Sequence, residues 1–192
     1  MRILTVGLIF VFAVSSAALC AQTATANSPD ECSLTTLPQS VQDYLLKYDG
    51  AWRIQEVKDL APRAHERWEA EKPLRCPGIA SGRFDAAKEF SYAVLLVPVG
   101  RGGAGHRLIA FSPVRGSHSY IPKVLGESKD TKSSALFVHT IRIGSFFDPQ
   151  SKEKFRVQAP SGILFIEADD KAYEADVYFW GSGSYQKQPI DY

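Results

Sequence analysis

The apolar positions of this chain change period partway along it. Up to about residue 71 they recur at helical spacing, and beyond Gly78 they alternate or run continuously. Val41, Leu45 and Tyr48 stand at i, i+4 and i+7, after Pro38, which suits a helix start, and before Gly50, a helix stop. Ala64 and Trp68, four apart, anchor a second and mostly polar helix that Pro62 opens and Pro73 ends, with Asp59 as its expected N-cap. Between the two, Trp52 and Ile54 face one way and Arg53 and Gln55 the other, as in a short strand.

Residues 90–97 are apolar on both faces past Tyr92, the pattern of a central strand. Residues 108–111, 119–125, 135–143 and 163–166 read as further strands. Tyr173, Ala175, Val177 and Phe179 then alternate with Glu174, Asp176, Tyr178 and Trp180, which predicts a half-buried strand. Residues 181–184 turn the chain back through Tyr185. Short strands with turns between them predict an antiparallel meander. The expected fold is α+β: two short N-terminal helices followed by a mainly antiparallel, curved β-sheet or partial barrel.

The first 26 residues do not fit that domain. Arg2 supplies a positive start, residues 3–14 are almost unbroken in apolarity, and small residues follow. This is the layout of a signal peptide, with cleavage after Ala21 or after Ala26. Residues 27–192 are expected to form a single α+β domain in a secreted or periplasmic protein, with no membrane span after cleavage. Arg2 is the only charge in the leader, so its loss leaves Lys+Arg and Asp+Glu, 22 and 21 in the full chain, evenly balanced. A balanced, interspersed surface gives no footprint for nucleic acid. Cys20 leaves with the leader, and Cys32 and Cys76 remain as an expected disulfide in an oxidising compartment.

Chemistry is sparse. The glycine-rich stretch 100–105 lacks the following helix that would make it a phosphate cradle, so it reads as an exposed hairpin loop. Among the four histidines, none has metal-site spacing, and no metal or cofactor is expected. His106, His118 and His139 are the candidate catalytic bases, His139 sharing a strand face with Phe137, Ile141 and Ile143. The serines sit in turns without a nucleophile elbow. Glu167, Asp169, Asp170, Glu174 and Asp176 cluster, and read as a turn and a solvated strand face.

Residues 76–96, with Gly82-Arg83-Phe84-Asp85 before the apolar run from Ser91, resemble one repeat of the FG-GAP (integrin-propeller) type. That resemblance implies a loop leading into a strand. Ala86, Ala87 and Lys88 stand where the family places acidic residues and glycine, so it implies no calcium site. More broadly, Trp52-Arg53-Ile54, Cys76-Pro77-Gly78 and the run from Asp176 to Trp180 resemble a class of exported bacterial proteins, which implies a location and no activity. The expected function is that of an exported, disulfide-bonded, non-enzymatic binding domain for a protein or envelope component. Its expected contact residues are Tyr178, Trp180 and Tyr185, an aromatic surface around the last hairpin. The alternative is a small histidine-dependent hydrolase of the cell envelope.

Overall fold

The computed structural model describes residues 32–192 apart from 49, 72–75, 86, 88, 101–102, 144–158, 170–172 and 191–192. The expected signal peptide lies outside the described residues. Within them, nine strands form two sheets, and every pairing is antiparallel. In the first, β3 (Ser91–Pro98), β4 (Ala104–Pro113) and β5 (Tyr120–Lys132) follow in order. Two short strands, β1 (Trp52–Ile54) and β2 (Ile79–Gly82), share the free edge of β3, β1 against Leu96 to Pro98 and β2 against Ser91 to Val94. The second sheet is a meander of β6 (Leu136–Arg142), β7 (Ser161–Ala168), β8 (Tyr173–Gly181) and β9 (Ser184–Ile190).

The fold is therefore α+β and antiparallel, with a different division of layers from the one expected. Instead of one curved sheet or partial barrel there are two sheets, and neither closes on itself. The helices are not a neighbouring N-terminal pair either. α1 (Gln39–Leu45) puts Val41 and Leu45 on the outer face of the first sheet, against Ile54, Val94, Leu96, Ile109 and Phe111. α2 (Pro62–Ala70) puts Ala64 and Trp68 on the outer face of the second, against Phe137, Leu164, Ile166, Val177 and Phe179. Between the sheets, Phe84, Leu95 and Leu108 meet Leu136, Val138, Ile163 and Phe165. The order of layers is helix, sheet, sheet, helix. Strands that are apolar on both faces are what such a stack requires.

The sheets are stitched along one side. Gln55 is fully buried, and its Nε2 donates to the carbonyls of Ser133 (2.9 Å) and Leu136 (3.1 Å). Val138 N donates to Pro77 O (2.8 Å), and Thr140 Oγ1 to Ser81 O (2.8 Å). These bonds cover the free edge of β6, which would otherwise offer unpaired backbone to another chain. The Cys32–Cys76 disulfide (Cα–Cα 5.1 Å) lies in the core beneath α1. It ties the start of the described chain to the turn that enters β2.

Three local readings change. Asp59 is not the N-cap of α2; Ala61 is, with Pro62 at N1. The Asp59 carboxylate instead accepts from Glu56 N (3.1 Å) and pairs with Arg53, so it closes the preceding 3-10 turn. The glycine-rich stretch is not all loop: β4 begins at Ala104, and Gly105 is buried at φ 112°. A Cβ there would stand 3.0 Å from Ser128 O, where the β4–β5 register shifts. Residues 101–102 lie outside the described residues. β5 also runs past its apolar part, because its polar half follows β4 through two register shifts.

Candidate functional site

Alternation along β8 sends Ala175, Val177 and Phe179 toward α2 and Tyr178 into the space between the sheets, with Trp180 on the same face of the strand as Tyr178. Tyr178 is 5% exposed and belongs to the inter-sheet core, not to the surface. Trp180 and Tyr185 are half-buried at its end. Ser182 (φ 54°) and Gly183 (φ 82°) make the two-residue turn that sets Trp180 opposite Tyr185. The two rings meet edge to face at 5.1 Å. Tyr185 Oη shares a hydrogen bond with Ser112 Oγ (3.2 Å), which fixes the hairpin to the opposing sheet.

Around that bond the first sheet contributes a short polar row. Ser112 pairs across the strands with Ile121, which is 60% exposed. Ser91, on β3 beside the Tyr92–Phe111 pair, is fully buried and donates through Oγ to Asp85 Oδ2 (3.0 Å). Asp85 Oδ1 accepts from Ala87 N (2.8 Å). Burial pushes the Tyr185 phenol up to about 12, against the pull of its Ser112 bond and with the help of Asp85. The ring therefore stays neutral and keeps its hydroxyl as donor or acceptor. One end of the inter-sheet space is thus closed by Asp85 and Ser91 and bordered by Ser112, Tyr185, Trp180 and Ile121. Such a rim can stack a flat apolar face on Trp180 and bond a polar group at the hydroxyls.

The histidines do not converge. His106 is 7% exposed between the sheets, tilted on Phe165 at 5.0 Å, with Nδ1 buried and without a hydrogen-bond partner. Burial pushes its imidazole below the usual range; Lys187 adds to this and Glu127 opposes it. His118 is exposed in the β4–β5 turn, and its carbonyl accepts from Ser40 Oγ (3.0 Å). It lies at the far end of β4 from His106, which pairs with Ser128.

His139 lies on the outer face of β6 under the end of α2. Its Nδ1 is 3.2 Å from Thr140 O, and its Nε2 is 3.9 Å from Glu71 Oε2. Glu71 in turn binds Arg67 (2.8 Å), whose Nε donates to Tyr173 Oη (3.1 Å) and whose guanidinium covers the Tyr173 ring at 4.8 Å. A base beside a carboxylate is one part of a hydrolytic site; a nucleophile in reach is another, and the described contacts of this group supply none.

Elsewhere charge is used internally. Glu167 pairs across the strands with Glu174, and burial pushes its carboxyl up, with Glu174, Asp169 and Asp176 adding to it. Asp176 is bound by Lys187 (2.8 Å), and Asp170 lies outside the described residues. Arg107 is held by Glu127 (2.8 Å) over the rings of Tyr48 and Trp52. Among the described residues no group of three or more His, Cys, Asp or Glu side chains is placed to hold a metal ion, and no helix is long and apolar enough to cross a membrane.

The sequence pattern does not single out Ser112, Ile121 or Ser91 at the rim, nor Arg67, Glu71 and Tyr173 around His139. The i, i+4 spacing of Arg67 and Glu71 is a visible signal; their meeting with a strand residue is not. Comparison with protein-family models, with curated proteins and with solved structures finds no match to the chain.

Proposed function

We propose that the protein is an exported, non-enzymatic binding domain that engages an envelope component at the rim formed by Trp180, Tyr185, Ser112 and Ile121. The observation that carries this reading is the edge-to-face Trp180–Tyr185 pair, held to the opposing sheet through Ser112 and next to an apolar side chain that is 60% exposed. Aromatic rings with a polar handle suit ligands that present both an apolar face and hydroxyl or amide groups, such as a glycan bearing a short peptide.

The test is titration of the exported protein with soluble peptidoglycan fragments. Trp180→Ala and Tyr185→Ala are expected to weaken binding at least tenfold, Trp180→Ala with little change in melting temperature. Binding unaffected by either change would refute the reading. Location has its own check. The exported product is expected to begin at Gln22 or Asn27 by mass spectrometry, and a product that retains Met1 would contradict the leader assignment.

A further inference from the structure

We propose, resting on the rim as the ligand face, that Asp85 selects a ligand that carries a protonated amine. Its ammonium sits on the hydroxyls of Ser112 and Tyr185, with the Asp85 carboxylate behind them. Asp85 is 5% exposed, and both its oxygens accept, Oδ1 from Ala87 N (2.8 Å) and Oδ2 from Ser91 Oγ (3.0 Å). Both donors are neutral. Among the described residues no cation lies within ion-pair distance of this carboxylate. Buried carboxylates are ordinarily paired with a cation or bound to a metal, because neutral hydrogen bonds only partly replace the lost water. Each oxygen also keeps a second lone pair free.

The position of Asp85 turns that charge toward the rim. Ser91 stands beside Ser112 on the neighbouring strand, one place beyond the Tyr92–Phe111 pair, and both share the inward parity of Ala93 and Ala110. The Ser91 hydroxyl holds Asp85, and the Ser112 hydroxyl holds Tyr185 (3.2 Å). Asp85, Ser91, Ser112 and Tyr185 thus form one row across the end of the inter-sheet space. The carboxylate is felt along it, since Asp85 helps to hold the Tyr185 phenol up. A field that crosses a buried row is screened less than one at the surface.

An ammonium donates and cannot accept, which matches a row whose open positions are oxygen lone pairs. The Trp180 and Tyr185 rings add faces that attract a cation, while Ile121 receives an apolar neighbour of the amine. An anion would meet the carboxylate instead, and an amide lacks the charge that Asp85 selects. Two lysines of the chain flank the row, and neither fills it. Lys187, two along β9 from Tyr185, is held by Asp176 (2.8 Å), and Lys123, two along β5 from Ile121, is exposed.

The test is titration of the protein with soluble peptidoglycan fragments whose stem peptide carries a free side-chain amine, and with the same fragments after acetylation of that amine. Acetylation is expected to weaken binding by at least about tenfold, and added salt to weaken binding of the amine form. Asp85→Asn keeps an acceptor for Ala87 N and can donate to Ser91 Oγ. It is expected to bind both forms alike, at the affinity of the acetylated one. Equal binding of the two forms by the wild type overturns the selectivity, and so does a preference that Asp85→Asn retains. Equal binding that Trp180→Ala still weakens overturns the selectivity alone and leaves the rim as the ligand face. Binding that Trp180→Ala does not weaken overturns the rim, and the selectivity with it. The wild-type comparison needs no variant, so it decides the outcome even where Asp85→Asn fails to fold.

Discussion

Cys32→Ser is expected to lower stability by roughly 2–4 kcal/mol while leaving the β-sheet signal in circular dichroism intact. The bridge spans a sequence separation of 44, for which loop-closure entropy alone gives about 4 kcal/mol. Strain and residual structure in the reduced chain reduce such values. Its position makes the loss local as well as global. Cys32 and Cys76 pack with Leu37, Val41, Leu45 and Ile54, so the cut frees α1 and the chain before it from the outer face of the first sheet. The second sheet and α2 share no residue with that cluster. Thermal melts and limited proteolysis check this: the expected result is a lower melting temperature, with early cleavage confined to the chain before β1. An unchanged melting temperature would show that α1 is seated without the bridge.

Gly78→Ala is expected to be as damaging, through crowding and not through backbone torsion. A Cβ at Gly78 would lie 2.5 Å from Gln55 O and 2.7 Å from Gln55 N, both backbone atoms. The two residues also share a partner. Leu95 N donates to Gly78 O (2.8 Å), and Gln55 N donates to Leu95 O (3.1 Å). The methyl group therefore has to part β1 from β2 where both are bonded to β3, and to disturb the Gln55 amide that stitches the sheets. Overpacking of this kind costs about 1–3 kcal/mol, and here the neighbour is backbone, which places the effect at the upper end. Gly116→Ala is the control. Gly116 has φ 76° and nothing within 4 Å of its Cβ position, so only torsional strain of about 1 kcal/mol applies. Urea denaturation at unchanged slope reads both differences.

Much of the fold is legible because period and composition carry it. The spacing of Val41 and Leu45, the Ala64–Trp68 pair and the alternation from Tyr173 to Trp180 each name an element and its buried face. Cys32 and Cys76, the pair expected within residues 27–192, name their own bridge. The division into two sheets is not legible in the same way. Val94, Leu95 and Leu96 show that β3 is covered on both faces, yet the pattern is silent on whether a helix or another sheet does the covering. The turn Ser133–Ala135 that carries the chain from one sheet to the other is short and looks like any other connection. Gln55 reads only as sharing a strand face with Arg53, opposite Trp52 and Ile54, whereas it is fully buried and bonds the carbonyls of Ser133 and Leu136, where the chain enters β6.

The sites divide in the same manner. Trp180 and Tyr185 follow from the hairpin pattern, and the structure brings them together. Tyr178, on the same face of β8, points at Gly126 and into the core, because the first sheet covers that part of the strand. His139 is visible in the sequence as a polar residue on an apolar strand face. Its partner Glu71 lies far away in sequence at the end of a polar helix, and only packing of α2 on the sheet joins them.

The inter-sheet rim as ligand face is tested most directly by amide chemical-shift mapping of residues 27–192 during titration with peptidoglycan fragments. Shifts are expected to concentrate at Ser112, Ile121, Trp180 and Tyr185, with α1 and α2 unmoved. Saturable shifts centred on α2 and His139, or no saturable shift at the rim, would contradict it.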